Sequence, residues 1–237
     1  MKELRNANLN IQGYQRLTLL DYPGRVACTV FTGGCNLRCP FCHNAGLVRT
    51  PMAHPSAQGE VLDYLAQRKG LLDGVCVTGG EPLLQPDLLD FLQRIKAMGY
   101  LVKLDTNGSL PKRLSEILKT GLVDYVAMDI KSSPAGYSDA AGCDVELAFF
   151  ENSLELIRQS GIAHELRTTA VKGLHNRSDF EQIGAWLGSA SPYFIQGFVD
   201  SGNLLGKGYT AFDEEEMQDL LQAVKPFIPH AQLRGLS

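Results

Sequence analysis

Three thiols fall within eight residues of a 237-residue chain: Cys35, Cys39 and Cys42, in Cys35-Asn36-Leu37-Arg38-Cys39-Pro40-Phe41-Cys42-His43-Asn44. Cysteine thiolate is the usual protein ligand of iron–sulfur clusters, and three close thiolates can hold three irons of a 4Fe-4S cluster. No fourth cysteine follows nearby, so this spacing leaves one iron without a protein ligand. An open position marks a site for chemistry, as three-ligand zinc does where four-ligand zinc is structural. Two plainer readings stand beside it. A structural zinc site shows two C-x2-C pairs, or one pair and a histidine pair, and here a single C-x2-C pair is present. A disulfide among the three would leave one thiol over.

Other residues able to do chemistry recur at one place, just past an apolar run. Gly79-Gly80-Glu81-Pro82 follows Gly74 to Thr78, and two adjacent glycines allow backbone to approach a ligand closely, or simply make a turn. Asp105-Thr106-Asn107-Gly108 follows Tyr100 to Leu104; an Asn-Gly turn accounts for Asn107 and Gly108 but not for Asp105. Asp129-Ile130-Lys131 ends the run Leu122 to Asp129, and Asp129 and Lys131 could be an interior ion pair or a solvated strand end. Arg167 could take a carboxylate bidentately or form a salt bridge within the fold. Cys28 and Cys76 lie inside apolar runs and read as small buried hydrophobes, Cys143 as a loop thiol, and Arg38 as exposed.

Strands and helices must present these residues together. Strands are expected at Val26 to Phe31, Gly74 to Thr78, Tyr100 to Leu104, Leu122 to Asp129, Glu165 to Val171 and Tyr193 to Val199, with Leu17 to Leu20 a further short one. Helices are expected at Ser56 to Lys69, Pro86 to Met98, Pro111 to Thr120, Val145 to Ser160, Asp179 to Leu187 and Asp213 to Val224. The acids Asp213 to Glu216 complement a helix N-terminus. Six strand–helix units imply parallel strands with right-handed crossovers. Six are too few for a closed eight-stranded barrel, so the expected fold is α/β, an open partial (β/α)6 barrel; a doubly wound sheet is the alternative. In a parallel barrel the site lies at the C-terminal face of the strands, where the candidates above would converge.

Composition agrees with a globular chain, 44% hydrophobic and 20% charged. A net charge of −4 argues against a broad nucleic-acid surface, and no apolar run reaches membrane-helix length. The start of the sequence is polar, without the apolar stretch of a signal peptide, which leads to an expectation of the cytoplasm, where six cysteines stay reduced.

The cysteine decapeptide resembles the cluster loop of the radical S-adenosylmethionine (radical SAM) superfamily, C-x3-C-x-aromatic-C, with Phe41 as the aromatic. The resemblance runs from Asp21-Tyr22-Pro23-Gly24 to the loop after the sixth strand. It is closest to the activating proteins of glycyl-radical enzymes, especially those of anaerobic ribonucleoside-triphosphate reductases, with Leu17 to Asn44 carrying most of it. It implies one radical SAM domain over 1–237, with 1–16 as an extension, and a 4Fe-4S cluster on Cys35, Cys39 and Cys42. By the same resemblance Glu81 and the carbonyls of Gly79 and Gly80 hold the amino group of S-adenosylmethionine. Asp105, in a segment like the family's D-T-N-G that includes Asn107, lies by the cofactor. Lys131 meets the cofactor's carboxylate, with Asp129 orienting it or touching the ribose and Arg167 a further candidate. Phe41 stacks on adenine or packs against the loop, and His43 bonds a cluster sulfide or caps the loop. The implied reaction is reductive cleavage of S-adenosylmethionine and formation of a glycyl radical on a partner, with flavodoxin or ferredoxin as electron donor. One departure stands out. Related activases carry a cofactor-contacting histidine after the last strand, where this chain reads Gln196-Gly197-Phe198-Val199-Asp200-Ser201, with Gln196 the substitute that suggests itself. Alternatives are an activase of the pyruvate formate-lyase type, a radical SAM enzyme acting on a small molecule such as a deazapurine precursor, and a non-catalytic metal-binding or electron-carrier protein.

Overall fold

The computed structural model describes residues 9–49, 57–200 and 202–235. Strands β1 to β8 follow one another in chain order in an open, mostly parallel sheet. The chain condenses into two compact units.

The first unit holds the described parts of Met1–Asn36, Gly46–Thr106 and Lys112–Val126. Its strands are β1 (Ile11–Thr18), β2 (Ala27–Thr32), β3 (Gly74–Gly79) and β4 (Leu101–Thr106). The runs Ala27–Thr32 and Gly74–Gly79 are buried along most of their length, as strands covered on both faces must be. β2 pairs parallel with β3 in unbroken register, Ala27 opposite Gly74 through Thr32 opposite Gly79. Helices α1 (Ala45–Arg49), α2 (Ala57–Gln67), α3 (Leu88–Ala97) and α4 (Pro111–Leu118) belong wholly or mainly to this unit. The apolar stripe of α3 is Leu88, Phe91, Leu92 and Ile95, all fully buried, at the i, i+3, i+4, i+7 spacing of a core-facing helix.

The second unit holds Leu37–Ala45, Asn107–Pro111 and the described parts of Ala127–Ser237. It contains the Ala127–Asp129 end of β5 (Tyr125–Asp129), then α5 (Tyr137–Ala141), α6 (Leu147–Gln159), β6 (Ala163–Ala170), α7 (Arg177–Leu187), β7 (Tyr193–Gly197), α8 (Glu214–Val224) and β8 (Gln232–Arg234). β6, β7 and β8 pair in parallel. The acids before α8 form a capping box: Asp213 accepts from the Glu216 amide at 2.9 Å and Glu216 accepts from the Asp213 amide at 2.9 Å.

The six expected strands are present as β2 to β7. The early strand differs from expectation. β1 runs Ile11–Thr18, not Leu17 to Leu20, and is antiparallel to β2. It enters the stretch expected as an extension, while Leu19 and Leu20 lie outside it, 66% and 86% exposed. β8, α1 and α5 were not expected, since segments of three to five residues carry too little periodicity to read. The expected cap Ser56 lies outside the described residues.

Candidate functional site

In the first unit the ends of β2 and β3 are tied together by backbone. The Gly80 amide donates to the Thr32 carbonyl at 2.9 Å, the Glu81 amide to Gly34 at 2.8 Å, and the Gly34 amide to Leu47 at 2.9 Å. Gln85 Nε2 donates to the Gly33 carbonyl at 2.7 Å. A Cβ at Gly80 would stand 1.9 Å from the Gly34 oxygen, and one at Gly79, whose φ is 120°, would stand 2.3 Å from the Thr32 nitrogen. These positions are therefore glycine because the backbone that leads into Cys35 lies on them.

Glu81 is fully buried. Its Oε1 accepts from the Leu83 amide at 3.1 Å, capping the 3-10 turn Pro82–Leu84, and from Thr106 Oγ1 at 2.9 Å. Asp105 pairs with the ammonium of Lys103, a residue 1% exposed inside β4. That ammonium also lies 3.9 Å from Cys76 Sγ, so Cys76 has a charged neighbour and is more than a small hydrophobe.

In the second unit the cysteine loop closes in a turn, with the Cys42 amide donating to the Cys39 carbonyl at 3.0 Å. The Arg38 amide donates to Ala141 at 2.8 Å, and the Gly206 amide to Pro40 at 2.7 Å, so the loop is anchored on both sides. Cys39 is buried and Cys42 half-buried. Burial pushes the Cys42 thiol up; the Asn44 amide and the Lys131 ammonium oppose this, and Asp129 adds to it.

Asp129 accepts from Arg167 Nε at 2.8 Å and Nη2 at 2.7 Å, and from Lys131 Nζ at 3.1 Å. Burial would raise the Asp129 carboxyl, but the charges of Arg167 and Lys131 outweigh it and hold the group well below the usual carboxylate range. Burial likewise opposes the charge of Lys131, and Asp129 foremost, with Cys39 and Tyr137, turns its affinity for the proton upward. Arg167 Nη1 stands 3.9 Å from Glu165, which Arg234 grips through two bonds of 3.0 Å. Arg167 thus forms a salt bridge with Asp129 inside the fold.

Asn107 Oδ1 accepts from the amide and hydroxyl of Ser109, at 2.9 and 2.6 Å, which is the work of a turn residue. Phe41 is buried, with its ring 6.3 Å from that of His175 in an edge-on contact. His43 is exposed and its Nδ1 lies 3.3 Å from the Val199 carbonyl. Arg38 is exposed, as expected.

Sequence reasoning missed His175. It is 5% exposed and follows β6, one strand before the place where a histidine was sought. Its Nδ1 accepts from the Val171 amide at 3.1 Å, which leaves the proton on Nε2, 2.9 Å from the Lys131 carbonyl. Lys103, Glu165 and Tyr137 were missed too. A lysine or glutamate within an apolar strand was the available signal.

The donor set can be tested against a cluster. Cys39 and Cys42 share one turn, and the Lys131 ammonium lies within electrostatic reach of both, opposing but not outweighing the burial that raises the Cys42 thiol. Among the described residues no three His, Cys, Asp or Glu side chains gather as one metal ion would require. That bears on zinc-sized sites; a 4Fe-4S cluster takes one thiolate on each iron and needs no such convergence on a point. The cysteine loop fits a cluster.

The sequence pattern of the radical SAM superfamily matches residues 29–187. The chain belongs to the radical SAM superfamily. Enzymes of this family use a 4Fe-4S cluster and S-adenosylmethionine. A Methanocaldococcus jannaschii protein named as a glycyl-radical enzyme activating enzyme is 28% identical over 236 residues, 96% of each chain. The pyruvate formate-lyase-activating enzyme of Clostridium pasteurianum is 36% identical over 126 residues, 51% of this chain and 52% of that one. A 7-carboxy-7-deazaguanine synthase from Methanopyrus kandleri is 31% identical over 179 residues, 65% of this chain and 70% of that one. Among solved structures, Streptococcus suis SuiB bound to S-adenosylmethionine superposes with a TM-score of 0.67 at 15% identity, which speaks to the fold. It covers 86% of this chain, and the chain spans about half (48%) of SuiB. Among the described residues no helix is long and apolar enough to cross a membrane.

Proposed function

We propose that this radical SAM protein is an activating enzyme that installs a glycyl radical on a partner enzyme, most directly an anaerobic ribonucleoside-triphosphate reductase. The observation that carries the activating-enzyme reading is the match to the M. jannaschii protein along 96% of both chains, with the cysteine loop inside it; the likeness of Leu17 to Asn44 to the reductase activating proteins favours the reductase as partner. We take 1–237 as one catalytic domain, because the family match at 29–187 runs through parts of both units. A reducing compartment, the cytoplasm, suits three ligand thiols, and a flavodoxin or ferredoxin suits the electron supply.

Cys35, Cys39 and Cys42 would hold the cluster, and Lys131, anchored by Asp129, would meet the carboxylate of S-adenosylmethionine. Glu81 and the backbone of Gly79 and Gly80 would meet its amino group, with Asp105 beside it. Phe41 shapes the loop through His175, while Arg167 and Asn107 act on their neighbours: Arg167 fixes Asp129, and Asn107 fixes its turn. When bound, the cluster and S-adenosylmethionine supply reductive cleavage to methionine and a 5′-deoxyadenosyl radical, which takes a hydrogen atom from a glycine of the partner. The chain's own part is to orient the sulfonium and exclude water and oxygen.

The match to the deazaguanine synthase favours a second reading, a small-molecule radical SAM enzyme. Anaerobic incubation of the reconstituted protein with reductant and S-adenosylmethionine separates the two. A glycyl-radical signal by electron paramagnetic resonance on added reductase supports the activase. 5′-Deoxyadenosine formed only with a deazapurine precursor, and no protein radical, supports the synthase. A radical on added pyruvate formate-lyase but not on the reductase would reassign the partner.

A further inference from the structure

The turn after β6 closes on itself through His175. The Leu174 and His175 amides donate to the Val171 carbonyl at 3.2 and 2.9 Å, and the Val171 amide donates to His175 Nδ1 at 3.1 Å. Nδ1 is thereby an acceptor, so the ring carries its proton on Nε2, which donates to the Lys131 carbonyl at 2.9 Å. Phe41 and Phe180 pack edge-on against the imidazole, their centroids 6.3 and 5.8 Å from its own. Two hydrogen bonds and two aromatic rings thus fix the orientation of a side chain that is 5% exposed.

What the ring holds is the main chain from which a long cation extends. Arg167 grips Asp129 at 2.8 and 2.7 Å, and its carbonyl accepts from the Ile130 amide at 2.7 Å, so β6 secures the two residues before Lys131. His175, just beyond the same strand, secures the Lys131 main chain. The lysine ammonium bonds Asp129 at 3.1 Å. Its four-carbon stem is flexible, so the place of the main chain decides where the charge can meet a bound carboxylate. Outer partners that orient a binding group in this way are a general device of cofactor sites. We propose that His175 is a positioning residue: through the Lys131 carbonyl it sets the lysine ammonium to receive the carboxylate of S-adenosylmethionine. The inference rests on the assignment of Lys131 to that carboxylate.

The test uses the full chain reconstituted anaerobically, with iron and sulfide counted. Calorimetric titration with S-adenosylmethionine, without reductant so that the cofactor stays whole, reads its affinity. Two amide side chains divide the imidazole's two bonds between them. Glutamine places an N–H donor where Nε2 stands, and asparagine an acceptor where Nδ1 stands. His175→Asn should weaken binding about tenfold, as loss of an outer-shell partner does, while His175→Gln stays within about twofold of wild type. Lys131→Met should weaken binding by about tenfold or more, and adding His175→Asn to it should cost less than about twofold further. A histidine that only closes its own turn gives other results. A loss of about tenfold in His175→Gln, an unchanged His175→Asn, or equal His175→Asn losses with and without Lys131 each overturn the inference. If His175→Asn takes up no iron and sulfide, His175→Gln decides: retained affinity supports the inference, and lost affinity or failure to load overturns it. Lys131→Met that binds like wild type overturns the assignment of Lys131 as well, whereas a loss there with His175→Asn unchanged overturns the inference alone.

Discussion

Replacing Gly80 by alanine puts a methyl carbon 1.9 Å from the Gly34 oxygen, 2.6 Å from its carbon and 3.3 Å from the Cys35 nitrogen. An ordinary carbon–oxygen contact is about 3.3 Å, so the two backbones must part by about 1.4 Å. Neither partner is the free end of a flexible side chain. Gly80 is held by its bond to Thr32 and the next residue by its bond to Gly34, at 2.9 and 2.8 Å. Separation strains or breaks both, at about 1 kcal/mol each, on top of about 1–3 kcal/mol for overpacking. The sum, about 3–5 kcal/mol, is a large part of the 5–15 kcal/mol typical of a folded protein. It corresponds to a drop in Tm of about 6–20 °C. Because the displaced segment ends at Cys35, iron uptake on reconstitution should fall too. Thermal and denaturant unfolding of the protein before reconstitution reads the first effect, and iron and sulfide analysis the second. Gly59→Ala is the control: Gly59 is exposed within α2 with nothing within 4 Å of an added Cβ, and alanine there should stabilise by about 0.5–1 kcal/mol. Gly80→Ala protein that melts with wild type and takes up the same iron would refute the claim that backbone contact dictates this glycine.

Three further outcomes are expected. Lys103→Met removes the buried cation paired with Asp105 and should destabilise by about 3–5 kcal/mol, with much of the loss recovered in Lys103→Met/Asp105→Asn; strictly additive losses in denaturant unfolding would show that the pair is uncoupled. His175 is held below its ordinary range by burial, with Lys131 and Asp179 opposing, so the folded state keeps it neutral while the unfolded chain binds a proton near pH 6.5. Stability should therefore fall as pH drops below about 6.5, with a shallower fall in His175→Gln; identical slopes in the two proteins would contradict this. Cys39→Ala should abolish the cluster's visible absorbance and cofactor cleavage, whereas Cys76→Ala should retain both and lose only packing and its contact with Lys103, as absorbance and 5′-deoxyadenosine assays would show.

What was legible in the sequence is what depends on neighbours in the sequence. The apolar runs that became β2 to β7 announce themselves within five or six residues, and Cys35, Cys39 and Cys42 carry their chemistry in their spacing. Gly80 is visible as a glycine, but not that the Gly34 oxygen fills the place of its side chain, because the two are far apart in the chain. Arg167 could be read only as a cation without a named partner, and its bond to Asp129, a strand away, is visible in the structure alone. His175 shows the limit most clearly. The resemblance to related activases points to a histidine after the last expected strand, where Gln196 to Ser201 holds none. The structure puts a buried imidazole after β6 instead, bonded to the Lys131 carbonyl and edge-on to Phe41. Its ring thereby ties the residue proposed to meet the cofactor's carboxylate to the aromatic of the cysteine loop, a link that no spacing in the sequence encodes because its three residues come from three separate loops.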